Sequence, residues 1–352
     1  MSFTPKCLAT AIGSLPHAKA EDAVRVVLNN IPDAPIWPQL PANGMNEQME
    51  IQYSEGLPDV VIDHEKERMY IDTTDESFTA ISAFMEKIAM DDVEAFAISP
   101  AFSKGIFAME AALQASGIVR PFVKVQTTGP ISFGLTIVDE NKRAIYYNDL
   151  YKDAVVKGLA MKCRWQIRKF QPYAEKVICF IDEPILSAFG SSTYVSVQRD
   201  DVVAVLQEMI ETVHSEGALA GIHCCGNTEW SILIDAGVDL VNFDAFDFGE
   251  SIALYPQAVK AHLEAGRALA WGVVPTNSAK IHTQTVESLV AQFDKVVENL
   301  AKTGIDKELI LNQAVITPSC GTGSLPVTDA EMVFDLLGKT SNTLRARLGV
   351  TA

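Results

Sequence analysis

The sequence predicts an α/β fold, a (β/α)8 TIM barrel with a β-hairpin and extra helices inserted after the second strand. Short apolar runs rich in β-branched residues alternate with longer patterns whose apolar residues recur at helical spacing. Eight such runs in 352 residues fit a closed barrel of parallel strands covered by helices. An open doubly wound sheet is the alternative, but no GxGxxG follows the first strand and no GxxxxGKS/T motif occurs.

The predicted strands are spread along the chain, and most of them are followed by a helical pattern. They are LATAIGS (8–14), PIWPQL (35–40), FVKVQTTG (122–129), KVICFIDE (176–183), LAGIHCC (219–225), DLVNFDAF (239–246), ALAWGVV (268–274) and LILNQAVIT (309–317). The clearest amphipathic helices end near glycines and are RDDVVAVLQEMIETVHSEG, QTVESLVAQFDKVVENLAKTG and DAEMVFDLLGKTSNTLRARLG. A strand followed by a helix is the repeating unit of a parallel barrel.

Residues 41–121 interrupt this alternation. The stretch VVIDHEKERMYID alternates in polarity around its central EKER and predicts a β-hairpin. Helices are expected near 75–98 and 103–117. Because no low-complexity tract or linker divides the chain, we expect one domain, residues 1–352.

Composition restricts the class of partner. A formal charge of -17 and a pI near 4.8 argue against binding to nucleic acid or to an anionic membrane surface, which both attract basic proteins. The N-terminus lacks the pattern of a signal peptide, and no apolar run is long enough for a membrane helix. We therefore expect a cytoplasmic protein in which the six cysteines are thiols, metal ligands or core residues.

The stretch GIHCCG (221–226) contains candidate metal ligands at the end of the fifth predicted strand. Residues two apart on a strand face the same side, so His223 and Cys225 can share one target while Cys224 faces the helices. Asp244 ends the sixth strand and Cys320 follows the eighth. Since the active site of a barrel lies at the carboxyl ends of its strands, these residues are expected to meet on one rim.

One imidazole, two thiolates and one carboxylate form a tetrahedral ligand set suited to Zn²⁺. Asp247 or Glu250 could replace Asp244 as the oxygen ligand. The alternatives are a structural zinc site, or no metal, with the histidine hydrogen-bonded and the cysteines packed as small apolar side chains.

Other polar residues also lie at strand ends. Asp182 and Glu183 in FIDEP end the fourth strand, where they could serve a functional site or cap a turn or helix. Gly13 and Ser14 in AIGSLP end the first strand, where an amide and a hydroxyl could hold a carboxylate. Turn chemistry explains the latter pair equally well.

Several motifs together resemble the catalytic barrel of cobalamin-independent methionine synthase and its single-barrel relatives, within the uroporphyrinogen-decarboxylase-like superfamily. The resemblance extends from residue 10 to about residue 345. The most specific part is the HxC pair with a following carboxylate and a distant cysteine. The motifs, in chain order, are AIGSLPH, QTTGP, FIDEP, HCCGN, LVNFD and PSCG.

The resemblance implies a zinc ion held by four residues, with an aspartate in place of the family's glutamate. The implied ligands are His223, Cys225, Asp244 and Cys320. A free alkyl thiol is mostly protonated near neutral pH. A zinc ion with an exchangeable position lowers the pKa of a bound thiol, and the thiolate can then attack a methyl group.

The resemblance also implies a site for the amino-acid part of a thiol such as homocysteine. Ile12, Gly13, Ser14 and Asp182 would contact this part, and Asp182 would bind the α-amino group. Near the end of the seventh strand, Asn277 stands where the synthases have a histidine considered a proton donor. Neither Glu47 nor Glu50 can be assigned the role of the family's GEPER glutamate, because that segment is missing here.

The expected function is that of a zinc-dependent thiol S-methyltransferase that converts homocysteine to methionine. The sequence shows no second barrel of the kind that binds folate in full-length synthases, which favours a methylcorrinoid protein over a methylated folate as donor. Two alternatives are a metal-free enzyme of the uroporphyrinogen-decarboxylase type and a non-catalytic corrinoid-binding barrel with structural zinc.

Overall fold

A computed structural model describes residues 3–75 and 77–350. Seven parallel strands in this part of the chain form one curled sheet surrounded by helices, and two further strands form an antiparallel hairpin. The strands are β1 (Leu8–Ala9), β2 (Val60–Asp63), β3 (Arg68–Ile71), β4 (Arg120–Thr128), β5 (Ala174–Asp182), β6 (Leu219–Cys224), β7 (Leu240–Phe243), β8 (Ala268–Val274) and β9 (Ala314–Pro318). The large sheet has the order β1-β9-β8-β7-β6-β5-β4.

Most helices follow the strands as βα units. They are α1 (Ala20–Asn30), α2 (Met49–Gln52), α3 (Thr79–Ala89), α4 (Lys104–Ser116), α5 (Pro130–Thr136), α6 (Asp149–Phe170), α7 (Arg199–Ser215), α8 (Trp230–Asp235), α9 (Pro256–Glu264), α10 (Ser278–Ile281), α11 (Val286–Ala301), α12 (Lys307–Asn312) and α13 (Val327–Arg347). The three amphipathic patterns identified in the sequence form α7, α11 and α13. Within the described residues, none of these helices combines the length and the apolar character needed to span a membrane.

The expected second strand, residues 35–40, is not a regular strand, and the sheet is therefore not a closed eight-stranded ladder. This extended segment lies between β1 and β4, where Ile36 forms an isolated bridge to Lys124 and Gln39 one to Ser14. Pro35 and Pro38 lack the backbone N–H that a ladder requires. Seven of the eight predicted parallel strands are therefore present, although the first, expected over residues 8–14, is regular only over Leu8–Ala9. The prediction that the sheet closes into an eight-stranded barrel is not confirmed.

The predicted insertion is confirmed in its main parts. Strands β2 and β3 pair antiparallel, with Val60 opposite Ile71. The expected helix near 75–98 consists of α3 and a short 3-10 helix, Val93–Phe96, and the one near 103–117 is α4. The last predicted strand was too long, because residues 307–312 form α12, whose first turn is capped by Asp306.

The interior of the curled sheet has an apolar end and a polar end. The apolar end is filled by a cluster of fully buried side chains: Ile178, Phe180, Leu240, Ala268, Ala270 and Val315. Further along the same strands toward their carboxyl ends, the inward positions are polar yet buried: Gln126, Asp182, His223, Asn242 and Thr317. Buried polar side chains are costly unless they are hydrogen-bonded or bind a ligand. We therefore expect a binding or catalytic site in this second layer of the core.

Candidate metal centre and substrate cavity

Three of the four predicted metal ligands lie together. One ligand atom each from His223, Cys225 and Cys320 lies within 4.8 Å of the others. His223 is on β6, Cys225 directly follows that strand, and Cys320 follows β9. The curvature of the sheet brings these separate strand ends to one rim, as the barrel prediction requires.

Asn242 on β7 orients the imidazole. Its Nδ2 donates hydrogen bonds to the carbonyl of Ala270 and to Oγ1 of Thr317, both at 2.9 Å. Its Oδ1 is therefore left as an acceptor, and it lies 2.5 Å from Nδ1 of His223. This arrangement places the proton on Nδ1 and leaves Nε2 with a free lone pair. Nε2 is buried and, among the described residues, has no hydrogen-bond partner.

The two thiols of the cluster interact with each other. A hydrogen bond from Cys320, assisted by His223, lowers the pKa of Cys225 to about 4. The same hydrogen bond and burial raise the pKa of Cys320. The pair can therefore supply a thiolate, which is the form of cysteine that binds metals.

Cys224 lies on the opposite face of β6, as strand alternation predicts. It is fully buried in the apolar cluster between the sheet and the helices. Burial raises the pKa of Cys224 to about 12. The thiol is therefore inert, although it adjoins Cys225 in sequence.

The predicted oxygen ligand, Asp244, is not a member of the three-residue cluster. Its Oδ1 accepts hydrogen bonds from the backbone N–H groups of Phe246 and Asp247, both at 2.9 Å, and so stabilises the turn after β7. Burial raises the pKa of Asp244 to about 6. Of the two alternatives, Asp247 forms an ion pair with Lys280 at 2.6 Å, and Glu250 is exposed. Ligation by Asp244 stays a prediction.

A cavity of about 560 Å³ opens beside the cluster. It is bordered by all three cluster residues and by Ile12, Ser14, Gln39, Pro41, Glu47, Met49, Asp182, Pro184, Gly321 and Ser324. Its size falls in the range of small-molecule sites. Within the described residues, no arginine or lysine lines it.

Two buried carboxylates in the cavity wall each have an oxygen without a hydrogen-bond partner in the described part of the chain. They are Oδ1 of Asp182 and Oε2 of Glu47. Burial raises the pKa of both groups, and nearby Lys124 opposes the effect at Asp182. Each oxygen can accept a hydrogen bond from an ammonium group. The sequence left Glu47 unassigned, because the family's GEPER segment is missing before it.

The acidic pair Asp182-Glu183 serves two separate purposes. Asp182 borders the cavity, whereas Glu183 accepts hydrogen bonds from the N–H groups of Ile131 and Ser132 at the start of α5, at 2.9 and 2.7 Å. A Cβ at Gly129 would lie 2.1 Å from the Glu183 carboxyl carbon, so this close contact requires glycine. Burial raises the pKa of Glu183 to about 7, although its hydrogen bonds lower it.

The predicted substrate-binding segment lies at the cavity only in part. Ile12 and Ser14 border the cavity. Gly13 packs against two amides instead: a Cβ there would lie 2.4 Å from Oε1 of Gln39 and 3.2 Å from Gln126. Gly13 is therefore a residue of close packing, which allows its neighbours to reach the cavity.

Asn277 does not border the cavity in the described structure. It is exposed, and its side-chain oxygen accepts hydrogen bonds from the N–H groups of Ala279 and Lys280, at 3.0 and 3.2 Å. It is thus the N-cap of α10. A proton-donor role has no support from this position and stays a prediction of the resemblance.

The chemistry of the cluster fits zinc. One imidazole nitrogen and two sulfurs are ligands that Zn²⁺ prefers, and the unpartnered Nε2 of His223 is available as one of them. Three protein ligands with a further open position are typical of catalytic rather than structural zinc sites.

Comparison with solved structures finds a methionine synthase among the chains with a similar fold. No protein-family model matches the chain, and no curated protein matches it in sequence. The structure of a B12-independent methionine synthase from Shewanella sp. W3-18-1, in complex with selenomethionine, superposes with a TM-score of 0.54 at 12% identity, covering 98% of this chain and 100% of that one. The likeness shows the fold. This chain thus has a methionine synthase-like α/β architecture.

Proposed function

We propose that the protein is a zinc-dependent methyltransferase that transfers a methyl group to the thiol of homocysteine, giving methionine. The observation that carries this proposal is the cluster of His223, Cys225 and Cys320, with ligand atoms within 4.8 Å, on the wall of a substrate-sized cavity. The zinc would lower the pKa of the substrate thiol, so that the thiolate is available near neutral pH.

The residues around the cluster would bind and orient the substrate. The free oxygen of Asp182 suits the α-amino group, and the segment that includes Ile12 and Ser14 suits the rest of the amino-acid part. Asn242 holds the imidazole of His223 in one tautomer. Fixed positions of this kind reduce the entropy that must be lost when the sulfur and the methyl carbon are aligned.

The cavity also bears on the methyl donor. A small amino acid fills only part of about 560 Å³, which leaves room for a donor to approach the sulfur. The absence of arginine and lysine among the described lining residues disfavours a polyanionic folate, and also the acidic porphyrinogen of a decarboxylase. We therefore propose a methylcorrinoid, carried by a protein, as the donor, with a methylated folate as the alternative.

The structural neighbour gives limited support. The Shewanella enzyme was solved with selenomethionine, an analogue of methionine, and its fold is similar to that of this chain. A site for an amino acid of this type is therefore compatible with the architecture.

The test uses two adjacent cysteines on opposite faces of one strand. Cys225→Ala should abolish stoichiometric zinc binding and methylation of homocysteine by methylcobalamin or methyltetrahydrofolate. Cys224→Ala, the matched control, should retain both, since Cys224 lies outside the cluster. Zinc is measured by elemental analysis and methionine by mass spectrometry.

Three outcomes would contradict the proposal. Full activity of metal-free protein would exclude zinc chemistry, and equal effects of the two variants would exclude the cluster. If cobalt-substituted protein shows no spectral change with any thiol, and metal removal unfolds it, the metal is structural.

A further inference from the structure

Lys124 is a fully buried lysine inside the curled sheet, on the inward face of β4. Its Nζ donates hydrogen bonds to the carbonyl oxygen of Ile12 at 2.5 Å and to Oε1 of Gln126 at 3.2 Å. It also lies 4.5 Å from the centre of the Phe180 ring. A buried lysine is rare because removing its charge from water is unfavourable unless other groups compensate.

Asp182 is the negative group that most favours the charged form of Lys124, although the two side chains form no direct ion pair in the described structure. Burial lowers the pKa of Lys124 to about 8, and the main opposing influence is Asp182. In turn, Lys124 is the first of the groups that favour the charged form of Asp182. Lys124 lies in the core, whereas Asp182 borders the cavity and has one oxygen without a hydrogen-bond partner among the described residues.

The hydrogen bond to Ile12 fixes a peptide group next to the cavity. The carbonyls of three consecutive residues are held: Ile12 by Lys124, Gly13 by the N–H of Gln39, and Ser14 by the N–H of Thr322. A trans peptide is planar, so its N–H points opposite to its C=O. Lys124 thus sets the direction in which the N–H of Gly13 points, away from the core lysine.

We propose that Lys124 is a positioning residue for the amino-acid part of the substrate, acting through the charge of Asp182 and the peptide between Ile12 and Gly13. The inference rests on the proposed function, because it takes an α-amino acid as the ligand. Lys124 itself does not border the cavity in the described structure.

The chain provides a matched control. Lys162 on α6 is also fully buried, its pKa is also lowered to about 8 by burial, and its Nζ lies 3.5 Å from the carbonyl oxygen of Phe96. It belongs to the helix layer and does not line the cavity among the described residues. Replacement of either lysine by methionine removes the same charge from a comparable environment.

The experiment measures binding of L-methionine and of 4-(methylthio)butanoate, which lacks the amino group, by calorimetry on zinc-loaded protein. Lys124→Met should weaken methionine binding about tenfold or more, since charge-assisted hydrogen bonds contribute this much. Binding of the desamino compound should weaken less. Lys162→Met should leave both affinities within about twofold of wild type. With homocysteine as substrate, KM should rise in Lys124→Met while kcat changes little.

A double-mutant cycle with Asp182→Asn tests the route of the effect. If Lys124 acts through Asp182, Lys124→Met should weaken methionine binding less in the Asp182→Asn background than in wild type. Lys124→Gln, which can still donate to Ile12 but has no charge, should fall between wild type and Lys124→Met. It also carries the test if Lys124→Met does not fold.

The outcomes separate this inference from the proposed function. Equal effects of the variants at 124 and 162 would overturn the positioning role of Lys124 and leave the proposed function intact. An unchanged effect of Lys124→Met in the Asp182→Asn background would overturn the part of that role that acts through Asp182. A zinc-loaded wild type that binds neither methionine nor homocysteine would overturn the proposed function and this inference with it.

Discussion

Two parts of the same rim use polar side chains in opposite ways. At the ends of β6 and β9, the ligand atoms of His223, Cys225 and Cys320 face one another, and Nε2 of the histidine has no other partner in the described structure. At the ends of β7 and β8, Asp244 and Asn277 each accept two backbone hydrogen bonds. The first group is free to bind a ligand, whereas one oxygen of each side chain in the second group is already engaged by the backbone.

The difference shows that location at a strand end is not sufficient for a functional role. A side chain that satisfies backbone N–H groups contributes to the structure of a turn or helix start, whatever else its remaining atoms do. Unpartnered buried atoms are therefore a better guide to the site than strand order alone.

The largest effect is expected at Cys320. Cys320→Ala removes one of three clustered ligands, and zinc should be lost from the purified protein together with homocysteine methylation. Elemental analysis and an activity assay measure the two effects. Retention of one zinc per chain in this variant would mean that the two parts of the rim do not differ as described.

A smaller effect is expected at Asn242, which holds the imidazole without being a ligand. Asn242→Leu should weaken zinc binding by about 10- to 100-fold, the usual result of removing a group that orients a metal ligand. Competition with a chromophoric chelator gives the affinity. Unchanged zinc affinity would show that the hydrogen bond to Nδ1 does not orient His223.

Asp244 distinguishes a turn residue from a ligand. If it only stabilises the turn, Asp244→Ala should lower the free energy of unfolding by about 2 kcal/mol, for two lost hydrogen bonds, and leave zinc affinity unchanged. Chemical denaturation and zinc competition are measured on the same sample. A loss of zinc instead would restore Asp244 as the fourth ligand.

The smallest effect is expected at Asn277, the exposed N-cap of α10. Asn277→Ala should lower the free energy of unfolding by about 1 kcal/mol, with kcat and its pH profile unchanged. Thermal unfolding and steady-state kinetics provide the measurements. A large fall in kcat at unchanged stability would support the proton-donor role that the resemblance implies.

Much of the sheet could be predicted from sequence because buried parallel strands are continuous apolar runs. The stretch ALAWGVV was identified with the bounds that β8 has in the structure, Ala268–Val274. The prediction failed at residues 35–40, where the side chains suit a strand but Pro35 and Pro38 remove the donors that a ladder needs. It also failed at residues 309–312, because the sequence LILN suits the end of a helix as well as the start of a strand.

The site could be predicted where alternation along a strand decides the outcome. The period of two separates Cys225 from Cys224, and the structure has the two cysteines on opposite faces. The same rule could have identified Asn242, two residues before Asp244. Lys124 gave no usable signal, because a lysine in a strand usually faces solvent. Capping by Asp244 depends on the conformation of the following turn, which strand periodicity does not encode.

The amide of Asn242 has a consequence for the whole sheet. Through its three hydrogen bonds it connects its own strand, β7, to β6, β8 and β9, so four neighbouring strands meet at one side chain. The orientation of the imidazole therefore depends on the register of these strands, and we expect the affinity for a metal ion to depend on that register as well. By thermodynamic linkage, an ion that binds only this register adds RT ln(1 + [M]/Kd) to the stability of the fold. Thermal melting at graded zinc concentrations would then measure how much the bound ion stabilises this arrangement of the four strands.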